Sequence, residues 1–419
     1  MSVEGGVHGL VDHLFRREAG RLVAALARSF GPAHLDLAEE VVQEAMLKAL
    51  RVWPFHGVPE RPAAWLYRVA RNLALDRLRR GGTFRGKEGE IRRRLESRLG
   101  GSAAEARFSG EITDDQLRLM FLCCHPVLSQ GGRVALTLKA VVGFGVPEIA
   151  RALLSGETAV AQRVARAKRK VRERGLTLDL PAAEALPARL DAVAEVLYLM
   201  FNEGYGAHAG ENLVRADLCA EARRLVEQLA ISPAVAGPEL HALAALFAFQ
   251  ASRLPARVGA DGELRRLAEQ DRSLWDRSLL RRAFAHLERA AAGERMSGYH
   301  LQAAIAAQHA AAQSVETTDW RGILGLYDRL LALQPSPVVA LNRAVALARV
   351  EGPGAGLAAL DAIADHPAVA GYYLLPATRG DLLFDSGNLD GARRAFQEAL
   401  ALGCSDPERR FLERRLAEL

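Results

Sequence analysis

The chain has 419 residues, half of them hydrophobic, a quarter charged and only 6% aromatic. This composition excludes a disordered, collagenous or disulfide-stapled chain, and no apolar run approaches the ~20 residues needed to span a bilayer. The net charge of +5 divides unevenly, with +11 on residues 1–175 and −6 on the remainder, so a polyanion-binding front and a back with another task are expected.

Scarce aromatics beside abundant Ala, Leu and Arg predict an all-α protein of two to three domains. Four cysteines without framework spacing, and no charged-then-apolar leader, point to a soluble, cytoplasmic protein. In the first predicted helix, Val11, Leu14, Phe15, Ala19, Leu22, Val23 and Leu26 recur at three- and four-residue steps up to Gly31-Pro32. A second helix begins near Asp36, read as a cap three residues before Glu39. Its stripe is Ala38, Val41, Val42, Ala45, Met46, Ala49 and Leu50, and Trp53-Pro54 is expected to break it. A loop over Pro54–Arg61 leads to a third helix from Pro62 to about Arg80. Residues 81–110, punctuated by glycine and holding Arg92, Arg93 and Arg94, read as a linker. Helices resume with Leu117, Met120, Phe121 and Cys124, then over Arg133–Val142. Two short helices follow, separated by Leu154-Ser155-Gly156. Beyond the proline-bearing stretch Gly175–Pro187 the chain again reads as helical. Tyr327, Leu360 and Phe396 recur there at about the 34-residue period of helix-turn-helix solenoids.

Two stretches can carry function. In Val146–Arg172, Val160, Val164 and Ala167 face inward, while Thr158, Gln162, Arg163, Arg166 and Arg169 face outward. That is the pattern of a helix-turn-helix entering the major groove, where polar residues reach base edges and cations neutralise phosphates. A helical hairpin with a solvated basic face gives the same pattern. In Pro62–Arg80, Trp65 and Tyr67 interleave with Arg68, Arg71, Asn72, Arg77, Arg79 and Arg80, which suits a strand of unstacked bases. Ordinary packing of one of the two aromatics is the competing reading. Cys123, Cys124 and His125 read as core residues rather than metal ligands. Glu203, His208 and Glu211 flank Asn202-Glu203-Gly204-Tyr205-Gly206, read as a structural turn ahead of a metal or acid/base site. No metal, cofactor or catalytic residue is expected, and nothing demands an enzyme.

Ala38-Glu39-Glu40-Val41-Val42-Gln43-Glu44, followed by Trp65-Leu66-Tyr67-Arg68-Val69-Ala70-Arg71-Asn72, resembles region 2 of bacterial extracytoplasmic-function sigma factors. Val142-Gly143, Glu148-Ile149-Ala150 and Val164-Ala165-Arg166-Ala167-Lys168 resemble their region 4. The strings Phe201–Tyr205, Glu269–Asp276, Tyr299–Ala307 and Leu341–Ala346 resemble the subgroup with a long tetratricopeptide-like C-terminal extension. The resemblance implies four parts: region 2 at 1–81, a linker at 82–112, region 4 at 113–176 and the extension at 177–419. It implies binding to core RNA polymerase at its clamp coiled coil and flap, with Glu40, Gln43, Glu44 and Lys48 docking on the clamp coiled coil. Arg61, Trp65, Arg68, Arg71, Asn72 and Arg79 would open the minus-ten element and hold the non-template single strand. Thr158, Gln162, Arg163, Arg166 and Arg169 would read the minus-thirty-five duplex. Glu157, acidic at the DNA-facing end, departs from the usual turn. The extension would contact the chain's own sigma domains or a separate regulator, with no membrane involved. Two other readings are a polymerase-independent helix-turn-helix regulator with a helical sensor domain, and an enzyme centred on Glu203, His208 and Glu211.

Overall fold

The computed structural model describes residues 18–80, 115–153, 155–179, 186–206, 216–232, 235–259 and 261–419. The expected linker, His208 and Glu211 lie outside them. Among the described residues the fold is all-α, and the one β feature is an isolated antiparallel bridge between Val258 and Leu264. The chain divides into two compact units, Met1–Met200 and Phe201–Leu419.

In the first unit, residues 18–30 form α1 and a single 3-10 turn at Pro32–His34 leads into α2, Leu35–His56. Asp36 does not cap α2. The cap position is His34, without a side-chain bond, and Asp36 lies inside the first turn, where distant cations engage it. Nor does Pro54 break α2. Near the end of a helix a proline removes only one intrahelical bond. Trp53, buried in the core, anchors the last turn, and the helix stops at Gly57, whose positive φ of 80° and N–H bond to the Trp53 carbonyl close it. The third helix, α3, spans Pro62–Arg80. Its small-residue stripe of Leu66, Ala70, Ala74 and Leu78 packs toward the buried stripe of α2.

Residues 115–123 form α4. Then α5, Gln130–Thr137, widens into a π-helical turn at Leu138–Val142, ahead of α6, Val146–Ala152, and α7, Glu157–Glu173. The π-helical turn is a contact surface for α1. A Cβ added to Gly20 would fall 1.6 Å from the Val141 carbonyl oxygen, so only glycine permits this approach. Gln116 donates to that same carbonyl at 3.3 Å, and Arg28 pairs with the nearly buried Asp115 at 2.7 Å. The two basic segments of the front half are therefore packed into one unit.

The helix α8, Leu186–Tyr205, carries the boundary between the units. The expected turn at Asn202–Gly206 is mostly helix. Gly204 serves packing instead, because a Cβ there would lie 2.9 Å from the backbone nitrogen and Sγ of Cys219 on α9, Ala216–Ile231. In the second unit α10, Pro238–Ser252, is buried on most sides, with Leu243, Phe247 and Phe249 inside. The segment Glu269–Asp276 forms a clasp. Arg253 donates to the buried Gln270, Arg272 donates to the carbonyls of His309 and Ala312, and both guanidiniums lie against the Trp275 ring. Asp276 then caps α11, Arg277–Ala290, through the N–H groups of Ser278 and Leu279.

Helix hairpins follow: α12 and α13 (Gly298–Ala311, Trp320–Leu333), α14 and α15 (Pro337–Glu351, Pro353–Asp361), α16 and α17 (Leu374–Asp385, Leu389–Ala401), closed by α18, Asp406–Ala417. Tyr327, Leu360 and Phe396 each lie on the second helix of a hairpin. Successive cores are shared between neighbours. Leu301, Ile323 and Ala346 form one, Leu341, Leu360 and Leu382 the next, Ala377, Phe396 and Phe411 the last. A lone hairpin cannot cover its own apolar face, so this sharing is what stabilises the array.

Candidate nucleic-acid interface

On α3 the buried stripe fixes one face, and at about 100° per residue the opposite face follows. Arg61, Trp65, Arg68, Asn72 and Arg79 fall within an arc of about 60° on that opposite face, with Arg71 beside it. Arg61, Arg68, Asn72 and Arg79 are exposed, while Trp65 and Arg71 are half-buried. Trp65 is held edge-on against buried Trp53, with ring centroids 5.5 Å apart, so one side is anchored while part of the ring meets solvent. The Arg71 Nε is buried without an acceptor among the described residues. Tyr67 lies toward α1, its hydroxyl 3.4 Å from Ser29 Oγ, so both half-buried aromatics make contacts within the protein.

Arg77 sits on the other side of the same helix and bridges to α2, donating to Glu40 at 2.7 Å and Glu44 at 2.6 Å. Two of the four residues expected to face polymerase are thus already bonded within the unit, whereas Gln43 and Lys48 stand exposed. Sequence reasoning missed two residues here. Leu47 is 54% exposed amid the polar face of α2, and Phe55 is 82% exposed at its end. The available signal was an apolar residue off the buried stripe.

The second basic surface is α7. Val160, Val164, Ala167 and Val171 are buried, and Thr158, Gln162, Arg166 and Arg169 are exposed on the opposite face. Arg163 is half-buried. With Arg166, Lys170 and Glu195 it lines a hollow of about 680 Å³. Glu157 is in the first helical turn, where its charge complements the helix dipole, and it projects about 100° away from Thr158.

One cation of α7 is buried. The Lys168 ammonium lies 2.8 Å from Asp36 and 2.9 Å from Glu39, and Arg172 donates to Asp36 at 2.6 Å. Burial alone would depress the lysine, but the Glu39 charge, with hydrogen bonds to Asp36 and Glu39, holds it above its ordinary value. Burial alone would raise the Asp36 carboxyl, but Lys168 and then Arg172 hold it below. The carboxyl-terminal half of α7 is therefore locked onto the start of α2.

The other sequence candidates among the described residues are Cys123, Cys124, His125 and Glu203. Cys123 and Cys124 are buried thiols, and burial pushes both up, Cys124 to about 12. The His125 ring accepts from the Val127 N–H. Glu203 is buried on α8. Among the described residues no group of three or more His, Cys, Asp or Glu side chains could hold a metal ion, and no helix is long and apolar enough to cross a membrane.

Residues 15–83 match sigma-70 region 2, so the front of the chain is of the class that directs RNA polymerase core to promoter DNA in transcription initiation. Residues 189–291 match a family of unknown function (DUF6596). The chain is 41% identical over 413 residues to the uncharacterized protein R00370 of Rhizobium meliloti (strain 1021), covering 98% of this chain and 96% of that protein, and it belongs to the same family. No solved structure matches.

Proposed function

We propose that the chain is an alternative sigma factor of the extracytoplasmic-function kind, acting in the cytoplasm, with region 2 at 1–81, a linker at 82–112, region 4 at 113–176 and a tetratricopeptide-like extension at 177–419. The observation that carries this reading is the region 2 match over residues 15–83, and the exposed arc on α3 supports it. Core polymerase binds Gln43 and Lys48 with Leu47, and Glu40 and Glu44 where Arg77 yields them. Arg61, Trp65, Arg68, Arg71, Asn72 and Arg79 hold the opened non-template strand, by stacking on Trp65 and phosphate contacts from the arginines. Phe55 extends that platform. Thr158, Gln162, Arg163, Arg166 and Arg169 read the upstream duplex.

This function requires the front unit to open. Elements centred near minus thirty-five and minus ten are separated by about 25 base pairs, or ~85 Å at ~3.4 Å per pair. A region 4 helix salt-bridged to the start of α2 cannot reach both, so the Lys168 cluster parts on the promoter. The C-terminal extension regulates this step through its own sigma domains or a separate regulator. Run-off transcription with bacterial core polymerase on genomic fragments tests the reading. Start sites that depend on the chain are expected. Their absence, together with specific duplex binding without polymerase, would replace it with a polymerase-independent regulator.

A further inference from the structure

The hairpin array of the second unit carries a half-open cavity of about 830 Å³, within the ~300–1,000 Å³ typical of small-ligand sites. Part of its polar lining comes from one face of α14. That helix gives Leu341 and Ala344 to one core and Ala346 to the next. Asn342, Val345 and Arg349, at i, i+3 and i+7, are left on a face that line the cavity instead.

The charges around the cavity are not equally engaged. Asp381 receives Arg266 and Arg415, each at 3.0 Å. Glu408 accepts from the Tyr373 hydroxyl and from Ser405 at 2.7 Å. Arg349 has no ion-pair partner among the described residues. Its guanidinium lies 5.9 Å from the centre of the Trp320 ring, and Glu316 feels its charge without pairing. Arg349 and Asn342 are solvent-exposed at the rim, as is Asp385 on α16, the other lining charge without an ion-pair partner among the described residues. The Trp320 indole N–H is fixed on the Val315 carbonyl at 3.1 Å, which sets the ring as a rigid wall. His309 meets that ring edge-on at 5.4 Å, and its Nδ1 is buried without a partner. Burial first, then the charges of Arg253 and Arg272, push the His309 imidazole down to about 4, so it is neutral at physiological pH.

We propose that this cavity binds a small organic anion with a flat apolar body: Arg349 and Asn342 hold the anionic group, Trp320, Val345 and Leu382 take the body, and His309 offers one hydrogen bond. An exposed guanidinium at the rim of the cavity, beside an aromatic wall, favours such a ligand because a charge-assisted bond and apolar burial act on the two ends of one molecule. The site stands independently of the sigma-factor reading.

Two dyes test it on the full-length chain. 8-Anilinonaphthalene-1-sulfonate carries the anion, and N-phenyl-1-naphthylamine is the same body without it. The expected result is saturable binding of both. Arg349→Glu and Asn342→Asp should each weaken the sulfonate by about tenfold or more, the loss of a charge-assisted hydrogen bond, and leave the neutral dye unchanged. Val345→Trp, which narrows the cavity beside Trp320, should weaken both. Unchanged helical circular dichroism checks each fold, with Arg349→Gln as the substitute if Arg349→Glu loses helicity. Equal sulfonate affinity in wild type and Arg349→Glu, equal losses of both dyes in that variant, or both dyes unmoved by Val345→Trp would each overturn the proposal.

Discussion

The helices α3 and α7 have similar sequences in outline, each an apolar stripe backed by arginines, yet they use their cations differently. On α3 the arc from Arg61 to Arg79 faces solvent, and only Arg77, on the far side, is drawn to α2. On α7 the outward face is open at Thr158, Gln162 and Arg166, while Lys168 and Arg172 on the adjoining edge are consumed by Asp36 and Glu39. A count of basic residues cannot separate a cation that awaits phosphate from one that holds a domain closed. Position around the helix can, because it decides whether the charge meets water or a carboxylate.

The comparison breaks most visibly on α3. Trp65→Ala or Arg71→Glu should reduce promoter opening by about a hundredfold, given ~1–3 kcal/mol per stacked base and the added repulsion of a reversed charge. Fluorescence of 2-aminopurine placed in the opened segment would report this, and wild-type opening would remove α3 from the strand-holding role. Next in size is α7. Arg166→Glu should weaken binding to upstream duplex by about tenfold and lower the salt-dependence slope by about one, as one phosphate contact is lost. An unchanged slope would mean that Arg166 faces no phosphate.

Lys168→Glu sets three carboxylates together and should open the front unit, seen as a larger radius of gyration in X-ray scattering. Adding Asp36→Lys and Glu39→Lys should restore compactness. A compact single variant would show that the cluster does not hold the unit closed. Smallest is Arg77→Ala, which breaks exposed pairs and should cost no more than about 1 kcal/mol in urea unfolding. The pH response sharpens the contrast further. The depressed Asp36 adds stability above its ordinary 3.8 that is lost as pH falls through its lower folded value. The raised Lys168 adds stability below its ordinary 10.5 that is lost as pH rises through its higher folded value. The stability difference between wild type and Lys168→Met should therefore stay flat from about pH 5 to 9.

Much of this was legible in the sequence, for local reasons. The stripe from Ala38 to Ala49, the start of α3 at Pro62 and the outward set on α7 all follow from helical period and proline stereochemistry. What was not legible depends on partners far along the chain. Asp36 looked like a cap because its real partner, Lys168, is 132 residues away. Pro54 looked like a break because the burial of Trp53 that anchors the last turn comes from tertiary packing. Gly204 looked like a turn because the helix that requires its missing Cβ begins only after it. Arg77 was one arginine among many until α2 supplied two carboxylates.

If the front unit opens on promoters as proposed, the Lys168 cluster has a further consequence for gene expression. A contact that must separate before any promoter is engaged subtracts the same free energy from every promoter complex. It lowers occupancy at all sites by one common factor and leaves their ranking untouched. On that reading base-reading residues would decide which genes respond, and the Asp36–Lys168–Glu39 cluster would act as a gain control on how strongly the whole set does.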